Sequence, residues 1–214
     1  MAAVHHHGFS FEQWVRDTLF EGYEGGYTQK WDIPPENNRH PAIPAACRNI
    51  PVSVKTAKLG SPIGLGDILR QRNIDEPFLM IVGFWRQRTP LEKWFEDIGW
   101  VKFTPSSWDA LWGSLSLSQI SEIDLAVKDR STHYTIARAK AQQLKSLVAA
   151  PADRRIVINP KIDSKTQRRI QCSLPFQTFW TCCGRDFLSR DHPDLFGFPF
   201  KNPVVSPARK FNQD

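Results

Sequence analysis

Residues 50–60 read IPVSVKTAKLG. Val52 and Val54 alternate with Ser53 and Lys55, the two-residue period of a strand whose faces differ in polarity. The stretch 50–58 is expected to be a strand with one apolar face on a core and the other carrying Ser53 and Lys55. It reads as a central strand. A lysine held there is costly to keep charged unless it faces an anion or does chemistry. The plainer reading of Lys55 is an edge-strand lysine.

Two carboxylates lie upstream. Ser10-Phe11-Glu12-Gln13 has the form of a capping box, with Ser10 as N-cap and Gln13 reaching back. Phe11, Trp14, Val15 and Leu19 then recur at helical spacing, which predicts a helix over 11–20 with Glu12 in its first turn. The glycines of EGYEGGY end it. YTQKWDI, 27–33, is a second expected strand, stopped by Pro34-Pro35, and the Pro- and Asn-rich 34–49 reads as a loop. Paired as a hairpin, 27–33 and 50–58 would bring Asp32 to Lys55. The helix carrying Glu12, packed on that hairpin, would add a second carboxylate. Two carboxylates, a strand carbonyl and waters form an oxygen-rich site suited to Mg²⁺. A lysine beside it could orient or activate a water for attack on phosphate.

Downstream, GSPIGLGDILRQR suggests a turn and a helix over 65–72, and PFLMIVGFW is a strand buried on both faces. The region 89–150 reads as mostly helical, with Ser106-Ser107 as a cap, and Pro151 ends its last helix. RRIVINP and RRIQCSLPF look like a hairpin rich in cations, and the tail from His192 has little regular pattern. The expected class is α/β, a mixed central sheet flanked by helices with added helices and a basic β-hairpin. No linker divides the chain, so 1–214 is expected to be a single domain.

In this order the residues resemble the PD-(D/E)XK nuclease superfamily, and within it the type II restriction endonucleases. Glu12, Trp31-Asp32-Ile33 and Ser53-Val54-Lys55 carry the resemblance, which covers about residues 10–85. It implies a restriction-endonuclease-like αβββαβ core and Mg²⁺-dependent hydrolysis of phosphodiesters in double-stranded DNA. It implies Asp32 and Glu12 as metal ligands, the Val54 carbonyl as a third, Ser53 positioning water and Lys55 holding the attacking water and the phosphate. It also implies a homodimer, because a two-fold protein matches a two-fold site. The sequence departs from the family pattern at two points. Trp31 stands where the motif has Pro, and Ser53 stands for its second acid, an S-x-K version in which a nearby helix supplies the carboxylate. Glu12 is the first candidate for that carboxylate and Asp67 the substitute.

Charge points the same way. Residues 128–169 hold eleven Lys and Arg against three acids, a net +8 in a chain whose total is +6. A basic segment beside a slightly acidic remainder suggests a face for a polyanion. The DNA-recognition part is therefore placed at about 128–175. Lys161, Lys165, Gln167, Arg168 and Arg169 of the hairpin are the candidate contacts, because cations hold phosphates while Arg and amides also read bases. The alternatives are a structure-specific nuclease of the same fold, junction resolvase-like, and a non-catalytic DNA-binding protein. Four cysteines without C-x2-C spacing suit a reducing, intracellular setting, cytoplasmic in a prokaryotic or phage-like context, rather than a zinc site. No stretch approaches the roughly 20 apolar residues of a membrane span.

Overall fold

In the computed structural model, which describes residues 6–25, 30–148, 154–163 and 167–205 (side chains from residue 10 on), the alternating stretch is a strand, Val52–Lys58, at the edge of a four-stranded sheet. In chain order the described elements are α1 (His6–Leu19), two single-turn 3₁₀ helices (Pro35–Asn37 and Ala45–Cys47), β1 (Val52–Lys58), β2 (Ile63–Asp67), α2 (Ile68–Arg72), β3 (Phe78–Gln87), β4 (Glu92–Phe103), α3 (Pro105–Ala110), α4 (Leu117–Lys128), α5 (Tyr134–Val148), β5 (Val157–Ile162), β6 (Arg168–Leu174), α6 (Phe176–Cys183), and the two-residue strands β7 (Asp194–Leu195), β8 (Phe198–Pro199) and β9 (Val204–Val205). The protein is mixed α/β, with a mixed sheet flanked by helices. Its contacts divide into two units, each built from separate segments: Met1–Ser61 with Pro77–Phe103 and Phe179–Asp214, and Pro62–Glu76 with Thr104–Thr178.

The first unit holds the sheet β1-β3-β4-β9. β1 runs parallel to β3, in register from Val52 opposite Leu79 to Lys58 opposite Trp85, and β4 pairs antiparallel with β3. Phe11, Val15 and Leu19 recur every four residues, so one stripe of α1 faces the sheet and buries itself against Val52, Val54, Leu79, Ile81 and Phe95. Gly83 makes this approach possible. A Cβ there would lie 2.7 Å from Phe95 and 2.8 Å from Phe11. On the other face Phe84 packs on Phe179 and Trp180, with ring centroids 5.5 and 5.1 Å apart.

The second unit holds the antiparallel sheet β2-β6-β5, with α4 and α5 packed on it. Ile158, Ile170, Cys172 and Leu174 are its buried face.

Several local expectations change. α1 begins at His6, so Ser10 lies inside the helix and Glu12 is past its first turn. Extending a helix already nucleated costs less than starting one. β1 is an edge strand, not a central one. Of 27–33, the described part makes a single antiparallel bridge, Ile33 to Val52, and the rest lies outside the described residues. The expected helix over 65–72 is shared between β2 and α2, because Gly64 and Gly66–Asp67 pair with β6. The cap of α3 is Thr104, with Ser107 completing the box.

The largest departure is β4, a 12-residue strand inside a region that reads as helical. Its charges hide it. Lys93, Glu96 and Asp97 are buried, and each is compensated from elsewhere. Arg185 grips Asp97 with two bonds of 2.8 and 3.0 Å, Ser189 and Arg86 meet Glu96, and Lys93 lies over the Trp85 ring. The tail also contributes the short strands β7 to β9 and buries Leu195 and Phe200 in the core.

Candidate active site

An edge strand turns half of its backbone groups away from its sheet. At Val52 those groups are met by Ile33, whose carbonyl accepts from Val52 N at 2.9 Å and whose nitrogen donates to Val52 O at 3.1 Å. Two residues on, at Val54, the same edge is met by side chains. Val54 N donates to Asp32 Oδ2 at 2.7 Å, and Val54 O accepts from Lys55 Nζ at 3.0 Å. Lys55 Nζ also donates to Asp32 Oδ2 at 2.9 Å, and Ser53 Oγ reaches that oxygen at 3.3 Å. Asp32, Ser53, Val54 and Lys55 thus form one cluster at the edge of β1. Trp31 seats the segment before it by packing on Phe78, which packs in turn on Phe103.

Glu12 approaches from α1. It lines a pocket of about 280 Å³ together with Val54, Lys55 and Thr56. Burial, and then the charge of Asp32, raise the Glu12 carboxyl above the ordinary value, while Arg16 and Lys55 oppose the rise. Arg16 donates to Glu12 Oε1 at 2.5 Å. Arg16 is the charged neighbour missing from the sequence reading. Its i,i+4 spacing from Glu12 on a helix was the available signal. Asp67 belongs to the second unit, where it caps α2 by accepting from Arg70 N at 2.9 Å.

Every donor in the cluster is a hard oxygen. Among the described residues, Asp32 Oδ1 and Glu12 Oε2 accept no protein hydrogen bond, and no group of three or more His, Cys, Asp and Glu is gathered. Two carboxylates beside a strand carbonyl, with no thiolate or imidazole among them, fit a small divalent cation that keeps several waters better than they fit zinc.

The basic hairpin is β5 and β6, in register with Lys161 opposite Arg169 and Ile162 opposite Arg168. Lys161, Gln167 and Arg169 are exposed. Arg168 points the other way, toward the helices, and donates to the Asp129 and Thr132 carbonyls at 3.1 and 3.0 Å. Lys165 lies outside the described residues. No helix among the described residues is long and apolar enough to cross a membrane. No family model, no curated protein and no solved structure matches the chain.

Proposed function

We propose that the protein is a Mg²⁺-dependent endonuclease of the restriction type, hydrolysing phosphodiesters at specific sites in double-stranded DNA. The observation that carries the reading is the Asp32–Lys55 pair fastened to the Val54 backbone, with Glu12 lining one pocket together with Val54 and Lys55. Support comes also from α1, which packs on a mixed sheet whose edge strand bears Lys55. Asp32, Glu12 and the Val54 carbonyl would hold the metal. What Mg²⁺ supplies in such a site is charge neutralisation at phosphate and a more acidic water.

The chain's own groups have separate tasks. Lys55 uses two of its three ammonium N–H donors on Asp32 and Val54. The third would bind a non-bridging phosphate oxygen or hold the attacking water in line. Ser53 would position a water beside Asp32. Glu12, held by Arg16, would complete the carboxylate pair on the metal. A homodimer would cut both strands of a two-fold site.

A second reading has one observation in its favour. The Asp32–Lys55 pair also satisfies the backbone edge of β1, as a purely structural pair would in a DNA-binding protein without catalysis. Incubation of long unmethylated phage DNA with the protein in Mg²⁺, in EDTA and as Lys55→Ala separates the two. Discrete fragments that need Mg²⁺ and vanish in the variant are expected. Retention of DNA by both proteins without cutting would favour the second reading.

A further inference from the structure

The strands β5 and β6 form a ribbon whose two faces have different work. Register puts Ile158 with Cys172, Pro160 with Ile170 and Ile162 with Arg168 on one face, and α4 and α5 cover it. The opposite face carries Asn159 opposite Gln171 and, one rung further out, Lys161 opposite Arg169. β2 joins β6 only as far as Gln171, so the cation rung lies where the sheet is two strands wide.

Like charges directly opposite each other on a sheet are destabilising. Lys161 and Arg169 are both exposed, and neither has a salt bridge or side-chain hydrogen bond among the described residues. Gln171 is half-buried, and its amide likewise makes no side-chain hydrogen bond there. Asn159 spends its Nδ2 on Ser173 Oγ at 2.9 Å. A rung of cations above a rung of amides is complementary to an anionic partner that also offers paired donors and acceptors.

We propose that this face reads base edges in the major groove of duplex DNA, with Asn159 and Gln171 as specificity-determining residues and Lys161 and Arg169 as their anchors. The proposal rests on the reading of the chain as a DNA enzyme. A two-stranded ribbon fits that groove, Gln171 can pair bidentately with adenine, and Asn159, whose Nδ2 is spent on Ser173 and Val157, offers its Oδ1 to a base N–H. Successive rungs on one face are about 6.8 Å apart, close to two base-pair steps. The amide rung and the cation rung would therefore address positions two base pairs apart. Duplex RNA is a poor alternative, because its major groove is too deep and narrow for side chains to read. Arg168 takes no part, since its guanidinium is spent on the Asp129 and Thr132 carbonyls.

The test is selection of bound duplexes from a randomised DNA pool by the full chain in EDTA, so that binding is read without cleavage. The parent protein is expected to select a site containing adenine. Asn159→Ala and Gln171→Ala should each lose discrimination at one position by about 5- to 150-fold. Gln171→Glu, which keeps the side chain's shape, should shift its position toward cytosine. Lys161→Ala and Arg169→Ala should weaken all sequences alike and lower the salt-dependence slope by about 0.9 each. A parent preference unchanged in Asn159→Ala, Gln171→Ala and Gln171→Glu overturns the inference while leaving a DNA-binding protein. Binding of all DNA sequences alike, or equal binding of duplex RNA, also overturns it. A parent protein that binds no DNA overturns this inference and the proposed function together.

Discussion

Asp32 Oδ2 accepts the backbone N–H of Val54 at 2.7 Å, in the place where a neighbouring strand would otherwise offer a carbonyl. The same oxygen holds the Lys55 ammonium at 2.9 Å. One carboxylate therefore finishes the edge of β1 and sets the lysine. Asp32→Ala should lose both. Leaving the Val54 N–H without an acceptor should cost about 1–3 kcal/mol of stability and abolish cleavage. Lys55→Met should also abolish cleavage, yet cost only about 0–1 kcal/mol, because the ion pair is partly exposed. Denaturant titration beside a cleavage assay checks both variants. Equal stability losses would mean that Lys55 is as structural as Asp32.

Glu12 gives a pH-dependent prediction. Its carboxyl is raised first by burial and then by Asp32. A carboxyl raised on folding binds its proton more tightly in the fold than in the unfolded chain. Its ionised form therefore costs stability above the folded pKa, and the cost fades as pH falls through that value. Glu12→Gln should melt higher than the parent near pH 7 in EDTA, with the gap closing as pH drops toward about 4. It should not cleave. A variant that melts lower at neutral pH would show that the Arg16 ion pair outweighs the cost of burial.

Gly83 controls where Glu12 stands. Phe11 lies where the Cβ of any other residue at position 83 would go. Gly83→Ala should push Phe11 off the sheet, at about 1–3 kcal/mol for overpacking. Because Glu12 is the next residue on α1, cleavage should fall by more than the stability loss explains. Mg²⁺ titration of the variant, monitored by melting temperature, should show weaker stabilisation than in the parent.

Arg168 and Arg169 are adjacent and opposite in role. Arg168→Ala removes two bonds to the carbonyls between α4 and α5 and should cost about 1–3 kcal/mol. Arg169→Ala should change the melting temperature little, since the side chain is exposed. Thermal melts of the two variants side by side decide this, and the reverse order would mean that the register of β6 is shifted by one.

Asn38, fully buried, fastens the loop that leads into β1. Its Nδ2 donates to Cys47 O and Ile50 O, both at 2.7 Å. Asn38→Ala leaves two carbonyls without that donor and should destabilise by about 2–4 kcal/mol. The loss should appear as faster proteolysis within 34–49 before the rest of the chain is cut.

The meeting of Asp32 with Ser53, Val54 and Lys55 was legible in the sequence because the two segments are close along the chain and a Pro-rich turn region separates them. The apolar stripe of α1 and the β5–β6 pairing were legible for the same reason, since local periodicity specifies both. β4 was not. Its Asp97 is neutralised by Arg185, which lies 88 residues away, and no local pattern announces a buried charge with so distant a partner. The edge position of β1 depends on what fails to pair with it, which periodicity does not report. Arg168 and Arg169 needed the register, because one residue of slip exchanges the two faces of a strand.

Phe200 packs on Phe11, Trp14 and Phe95, with ring centroids 5.7, 5.0 and 4.7 Å apart. Phe200 follows Glu12, Asp32 and Lys55 far along the chain, so the ring that seats α1 is made long after them. A growing chain that has not yet reached Phe200 therefore carries these three side chains without the clamp that brings Glu12 to the others. Under the proposed function, synthesis itself would act as a safety catch, released only once Phe200 has been added.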